Sequence, residues 1–227
     1  MPYLTRTDDI WELYLGAEGS ELAPDNPENR FAGSWISEVR GLLETVADDA
    51  TGALVITATG KFFSNGLEIA EVADPTKLEG YIDSVHDIYA RVLTLPVATV
   101  SAVNGHAFGA GAMLALCADH RVMRTERGYW SLPEVALGMP FPLGMASLLH
   151  ERLPESVRTE AMTTGRRYGG SESAQLGIVE EAVDVDELLT RARAVAAERT
   201  AFAGANLHAI KKGMRRALLA DLAPQTS

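Results

Sequence analysis

The stretch Val103–Asp119, VNGHAFGAGAMLALCAD, decides the fold. An apolar run of β-type residues, Val97–Val103, leads into it. Gly105, Gly109 and Gly111 then make a small-residue turn, and a helix-forming run, Ala112–Cys117, leads out. Glycine lets a ligand approach the main chain closely and permits backbone angles closed to other residues. A turn that opens a helix also presents unpaired N–H groups and the positive end of the helix dipole. Such a turn suits a developing negative charge. A tight strand-to-helix turn with no ligand would use the same glycines, and the spacing alone leaves both readings open.

The same order of elements recurs on either side. Ala53–Ala58, ALVITA, reads as a buried strand. Gly60–Gly66, GKFFSNG, is a loop, a helical segment follows from Glu68, and Leu78–Leu95 is a helix stopped by Pro96. His120–Thr125, HRVMRT, is a third strand after the glycine turn. Strand, loop and helix in repetition imply a mostly parallel sheet with covering helices, an α/β fold. Upstream, Asp9–Leu15 and a following short run read as a hairpin, Glu21–Arg30 as a polar loop, and Trp35–Val46 as a helix with one broad apolar face. Downstream, Tyr129–Pro142 is rich in loop punctuation. Gly144–Leu153 and Ser156–Thr164 read as helices, Gly165–Gly170 as a turn, and Ser171–Leu176 as a short helix with Ser171 as N-cap. Ile178–Val183 is extended, and Asp186–Arg199 and Asn206–Leu219 are two C-terminal helices.

Composition narrows the function classes. At 227 residues and 47% hydrophobic content, the chain can bury a sizeable core, as one domain with at most a small C-terminal appendage. A net charge of −11 repels nucleic acid and anionic membrane surfaces, so neither is expected as a partner. Cys117 is the only cysteine, which excludes an intrachain disulfide and a cysteine-based metal site. His86, His120, His150 and His208 lack metal-ligand spacing. The start MPYLTRTDDIWELYL lacks the basic head and apolar core of a signal peptide, and the final PQTS is not a peroxisomal address of the SKL type. The expected location is cytoplasmic.

Three ordered stretches resemble one family. GKFFSNGLEI (Gly60–Ile69) is similar to the first oxyanion loop of the crotonase, or enoyl-CoA hydratase/isomerase, superfamily. VNGHAFGAGAMLALCAD is similar to its second oxyanion loop and following helix, and TTGRRYGGSESAQLGIVEEAV (Thr163–Val183) to the stretch after the core. ENRF (Glu28–Phe31) and KFFSNG (Lys61–Gly66) most resemble the Δ3,Δ2-enoyl-CoA isomerases. The resemblance implies a crotonase fold of repeated ββα turns over residues 1–165, and a helical C-terminal region over 166–227 for oligomerisation and CoA contact. It also implies trimers or dimers of trimers and an acyl-CoA thioester as substrate. No separate cofactor is implied, because coenzyme A arrives as part of the substrate.

Residue by residue, the resemblance makes the Leu67 and Ala110 amides the two oxyanion donors. The family usually has glycine at the second place, but a backbone donor tolerates alanine where its angles are ordinary. Phe63, Gly66, Gly109, Gly111 and Met113 fall at the substrate site by the same mapping. Arg30 maps near the CoA adenosine, and Lys211 maps to the CoA phosphates. Lys211, Lys212, Arg215 and Arg216 cluster on about half of the last helix, which a solvated helix face would also explain. Family hydratases carry two glutamates. Here the first place is Met113, and the second is Glu134 in SLPEVALG. Adding water calls for one group to take a proton from water and another to protonate carbon. Moving a double bond from C3–C4 to C2–C3 needs only one base that returns its proton. The expectation is therefore an isomerase, with Glu134 desolvated by Trp130, Leu132 and Met139 and its pKa raised. Hydration or other enolate chemistry with one glutamate is the rival within the enzyme class, and a non-catalytic acyl-CoA binder the rival outside it.

Overall fold

The computed structural model describes residues 1–19 and 28–224. Strands β1 (Tyr3–Thr7) and β2 (Ile10–Tyr14) form an antiparallel hairpin, followed by α1 (Gly33–Asp49). Next come β3 (Ala53–Thr57), β4 (Phe62–Ser64), the one-turn α2 (Ile69–Val72) and α3 (Leu78–Thr94). The second repeat is β5 (Ala98–Val103), β6 (His106–Phe108) and α4 (Ala110–Cys117). The third is β7 (His120–Arg124), β8 (Trp130–Ser131), a 3-10 turn over Pro133–Leu137, α5 (Leu143–Arg152) and α6 (Glu155–Thr164). The remainder holds β9 (Arg167–Tyr168), α7 (Gly170–Gln175), β10 (Glu181–Val183), α8 (Val185–Ala197), α9 (Ala205–Met214) and α10 (Arg216–Leu222).

Each repeat sends its first strand to one sheet and its second to another. The larger sheet runs β1-β2-β3-β5-β7-β10, parallel except for the hairpin, and the smaller runs β4-β6-β8-β9. This is the crotonase architecture of ββα turns. The alternation along β3 shows how the larger sheet is covered. Leu54 and Ile56 face the main core with α1 and α3, while Ala53 and Val55 face a second core beneath Leu188, Ala192, Val195 and Ala196 of α8. Successive side chains of a strand point to opposite faces, and burial on both faces gives the continuous apolar run read from the sequence. Among the described residues, no helix is long and apolar enough to cross a membrane.

Several expectations change. The hairpin's other arm precedes Asp9–Leu15 rather than following it. Asp8 takes the left-handed turn conformation (φ 53°), and the Tyr3 and Tyr14 rings stack across the strands at 4.7 Å. The short helix begins at Gly170 with Gly169 as N-cap, so Ser171 is not the cap. A Cβ on Gly170 would lie 2.0 Å from the Arg124 carbonyl oxygen, so only glycine lets the helix start against β7. The expected helix Asn206–Leu219 is two helices broken at Arg215 (φ −105°, ψ 19°), whose guanidinium reaches inward to the Leu93 carbonyl (2.7 Å). The whole smaller sheet forms within stretches read as loop or turn. The expected polar loop Glu21–Arg30 lies largely outside the described residues, as does the PQTS end beyond Pro224.

Candidate active site

The first amide is aimed by the backbone around it. Phe31 N–H donates to the Gly66 carbonyl (3.0 Å) in an isolated parallel bridge between Phe31 and Leu67. In a trans peptide the C=O and the following N–H point in opposite directions. With the Gly66 C=O turned to Phe31, the Leu67 N–H is turned away from it. Gly66 has φ +85°, and a Cβ there would lie 2.7 Å from the Phe108 carbonyl oxygen and 3.3 Å from the Ala110 nitrogen. Only glycine allows the two loops to lie this close.

The second amide is aimed by α4. Met113 N–H donates to the Gly109 carbonyl (3.0 Å), so that carbonyl runs along the helix and the Ala110 N–H points out of its N-terminus. The positive φ of the turn falls on Gly109 (φ 53°), and Ala110 keeps an ordinary helical φ. The departure from glycine at position 110 therefore introduces no strain. Gly111 is required by contact: a Cβ there would lie 2.4 Å from the Ser64 carbonyl oxygen of β4. Among the described residues, neither the Leu67 nor the Ala110 N–H has an intramolecular acceptor.

Both loops wall one cavity of about 440 Å3, with Arg30, Gly66, Leu67, Gly109 and Ala110 on one side. Ile69 and Val72 of α2, Phe108 of β6, and Pro133, Leu137 and Met139 supply its apolar surface. The segment before α3 thus contributes to the wall, whereas α3 itself does not line this cavity. Arg30 donates to the Leu67 carbonyl (3.1 Å) and pairs with Glu28.

Glu134 sits in the first turn of the 3-10 segment opened by Pro133. The segment is fastened to the second loop by Gly109 N–H donating to the Ser131 carbonyl (3.0 Å). The side chain is 9% exposed, and a Cβ on Gly109 would come within 3.1 Å of Oε1. The carboxyl therefore lies against the Gly109 backbone beside the Ala110 amide. Its Oε2 is buried with no hydrogen-bond partner. Burial pushes its pKa up to about 7. Trp130 and Leu132 near it in the chain are fully buried, and Met139 N–H donates to the Glu134 carbonyl (3.0 Å).

The remaining expected contacts lie elsewhere. Phe63 and Met113 are buried in the main core, behind the cavity rather than on its wall. The place of the missing second carboxylate is thus apolar and packed. Lys211, expected to meet a phosphate, is 3% exposed; it donates to the Val97 carbonyl (2.8 Å) and pairs with Asp119. That corrects its assignment, because a buried ammonium already held by a carboxylate presents no charge to a ligand outside. The apolar wall residues Phe108 and Leu137 were missed by sequence reasoning. Phe108 stands inside the glycine stretch itself, two residues after His106 on a strand, and that alternation was the available signal.

Two amides without an acceptor among the described residues, in loops that wall one cavity, and a buried carboxyl of near-neutral pKa against that wall are the parts needed to stabilise an oxyanion while a proton is moved next to it. Known proteins resemble this chain over most of its length. A family model described as enoyl-CoA hydratase/isomerase matches residues 21–227. The chain is 33% identical over 189 residues to the peroxisomal enoyl-CoA delta isomerase 2 of Arabidopsis thaliana, covering 79% of this chain and 75% of that protein. It is 32% identical over 210 residues to carnitinyl-CoA dehydratase of Escherichia coli, covering 88% and 78%. A crystal structure of a probable enoyl-CoA hydratase from Mycobacterium tuberculosis superposes with a TM-score of 0.85 at 25% identity, covering 97% of this chain and 91% of that one. Nearly the whole chain follows one pattern, in sequence as in strand order, and it belongs to the enoyl-CoA hydratase/isomerase, or crotonase, superfamily of enzymes.

Proposed function

We propose that this enzyme converts a Δ3-enoyl-CoA into the trans-Δ2 isomer. The thioester oxygen accepts from the Leu67 and Ala110 N–H groups. The Glu134 carboxylate removes a proton from C2, and the electron pair moves onto the oxygen as a dienolate. The protonated Glu134 then delivers that proton to C4 while the double bond settles between C2 and C3. No water is consumed and no group is left over, so one carboxyl completes the cycle. The observation that carries the reading is the solitary, desolvated Glu134 carboxyl packed against Gly109, which is itself a wall residue; among the described residues no carboxylate lines the cavity directly.

Ile69, Val72, Leu137 and Met139 suit an acyl chain, and the Arg30 guanidinium suits the polar CoA portion entering beside Leu67. Phe202, Ile210 and Met214 are large apolar side chains left exposed on the C-terminal segment, which supports burial against another copy in a trimer or hexamer. One observation also favours single-glutamate hydration. A pKa near 7 leaves both acid and base forms populated at neutral pH, so Glu134 could serve both roles.

Glu134→Gln should lower turnover of a 3-enoyl-CoA by about 10²–10⁴-fold. Activity near wild type would remove Glu134 from the mechanism. The wild-type rate should need the carboxylate: kcat/KM falls about tenfold per pH unit below a midpoint near 7 and is level above it. Supplying 2-enoyl-CoA and looking for 3-hydroxyacyl-CoA separates the readings, because an isomerase forms none.

A further inference from the structure

The two amides come from loops more than forty residues apart in the chain, yet their separation must be held to a fraction of an ångström for both to serve one oxygen. Two buried hydroxyls stand behind them, both from α3. Tyr81 Oη accepts from the Glu68 N–H (2.9 Å) and donates to the Phe31 carbonyl (2.9 Å). Glu68 follows Leu67, and Phe31 is the residue that orients the Gly66–Leu67 peptide. Tyr89 Oη donates to the Ala110 carbonyl (2.9 Å). Tyr81 and Tyr89 are eight residues apart on the buried face of α3, about 12 Å along the axis. The Phe31 ring meets the Tyr89 ring edge-on at 6.2 Å, closing the frame between them. Neither tyrosine lines the cavity. A phenylalanine at either place would pack as well, so the hydroxyls are not explained by filling space.

We propose that Tyr81 and Tyr89 are positioning residues through which α3 acts as a rigid spacer, each hydroxyl fixing the backbone beside one oxyanion donor. The inference rests on the reading of Leu67 and Ala110 as those donors. Losing a hydroxyl frees the loop it holds, so the donors fit the ground-state carbonyl loosely and the enolate poorly. Tyr81→Phe and Tyr89→Phe should each lower kcat about tenfold and leave KM within about twofold. The pH midpoint of the rate should not move, because neither hydroxyl bonds to Glu134.

The deciding measurement is the infrared carbonyl stretch of hexanoyl-CoA labelled with 13C at the thioester, bound to the full-length enzyme as purified. This probe lacks the double bond and is not isomerised. Wild type should lower the stretch relative to free ligand, and each Tyr→Phe variant should recover part of that shift. Val85→Ala, on the same buried face of α3, is the control: it should cost stability but keep the full shift. Equal shifts in wild type and both Tyr→Phe variants would overturn the spacer while sparing the oxyanion pair. Loss of the shift in Val85→Ala would also overturn it, by showing that any loosening of α3 has the same effect. Failure of the Tyr→Phe variants to fold would assign the hydroxyls to stability instead. No shift in wild type would sink the oxyanion reading itself, a result distinguishable from the others.

Discussion

Asp119 and Glu134 are both carboxylates set into the fold, and the difference between their surroundings shows what makes a base. Asp119, at the end of α4, receives the Thr99 N–H (3.0 Å) and Thr99 hydroxyl (3.1 Å) and pairs with Lys211 and Arg215. Burial would raise its pKa, but the Lys211 ammonium, the Thr99 donors and Arg215 outweigh it and hold the group below the usual carboxylate range. Glu134, packed against Gly109 of the cavity wall, is at least as dry and has no cation. Burial outweighs the one opposing contact, with its own backbone N–H, and its pKa rises to about 7. Desolvation is common to both sites; the partners decide whether it yields a permanent charge that docks the C-terminal helices or a group that can gain and lose a proton.

The largest test of that contrast is Asp119→Asn. It leaves the buried Lys211 without its countercharge and Arg215 with only Glu151 at 3.6 Å, and should cost about 3–5 kcal/mol in urea unfolding. Because the folded-state pKa of Asp119 is lowered, its contribution is present above the unfolded value of 3.8 and is lost as pH falls through the folded value. The variant should therefore approach wild type only in acid. A loss that persisted undiminished in acid would mean that packing, not charge, holds the helices.

Glu134→Gln should have the opposite sign. The folded state keeps the Glu134 proton between pH 4.5 and about 7, where the unfolded chain releases it, so this group makes stability fall as pH rises across that window. Removing the charge should raise stability at pH 8 by up to about 3 kcal/mol and change nothing near pH 4. The same substitution that abolishes turnover would then strengthen the fold, the usual trade of a strained functional group. A variant equally unstable at both pH values would show that the carboxyl is solvated in the native state.

How much of this was legible in sequence varies with the physical signal. β3, β5 and β7 are buried on both faces and read as apolar runs; α1 and α3 carry helical periodicity; the two glycine loops carry residues that only close backbone approach requires. The smaller sheet was not legible, because its strands are two or three residues long and a period of two cannot register in so few positions. Glu134 was singled out through the family resemblance of SLPEVALG, and nothing local reveals its burial. Lys211 and Arg215 were misread for a general reason. Charge suggests solvent, yet α9 turns Ile210 and Met214 outward and these cations inward, and the countercharge that permits it lies some ninety residues earlier in the chain. Only the three-dimensional pairing shows which side of the helix is the inside.

The smallest expected effect makes the same point from the other direction. Lys212 follows Lys211 directly, but it is exposed and makes no ion pair among the described residues. A solvated ammonium gives up little on removal, since water already screens it. Lys212→Met should change unfolding free energy by no more than about 0.5 kcal/mol, with little dependence on salt. Lys211→Met, one position earlier, strands Asp119 beside a single remaining cation and should be far more damaging, also with little salt dependence because the pair is shielded from ions. Comparable losses from the two substitutions would mean that α9 is docked by its helical character rather than by its buried charge.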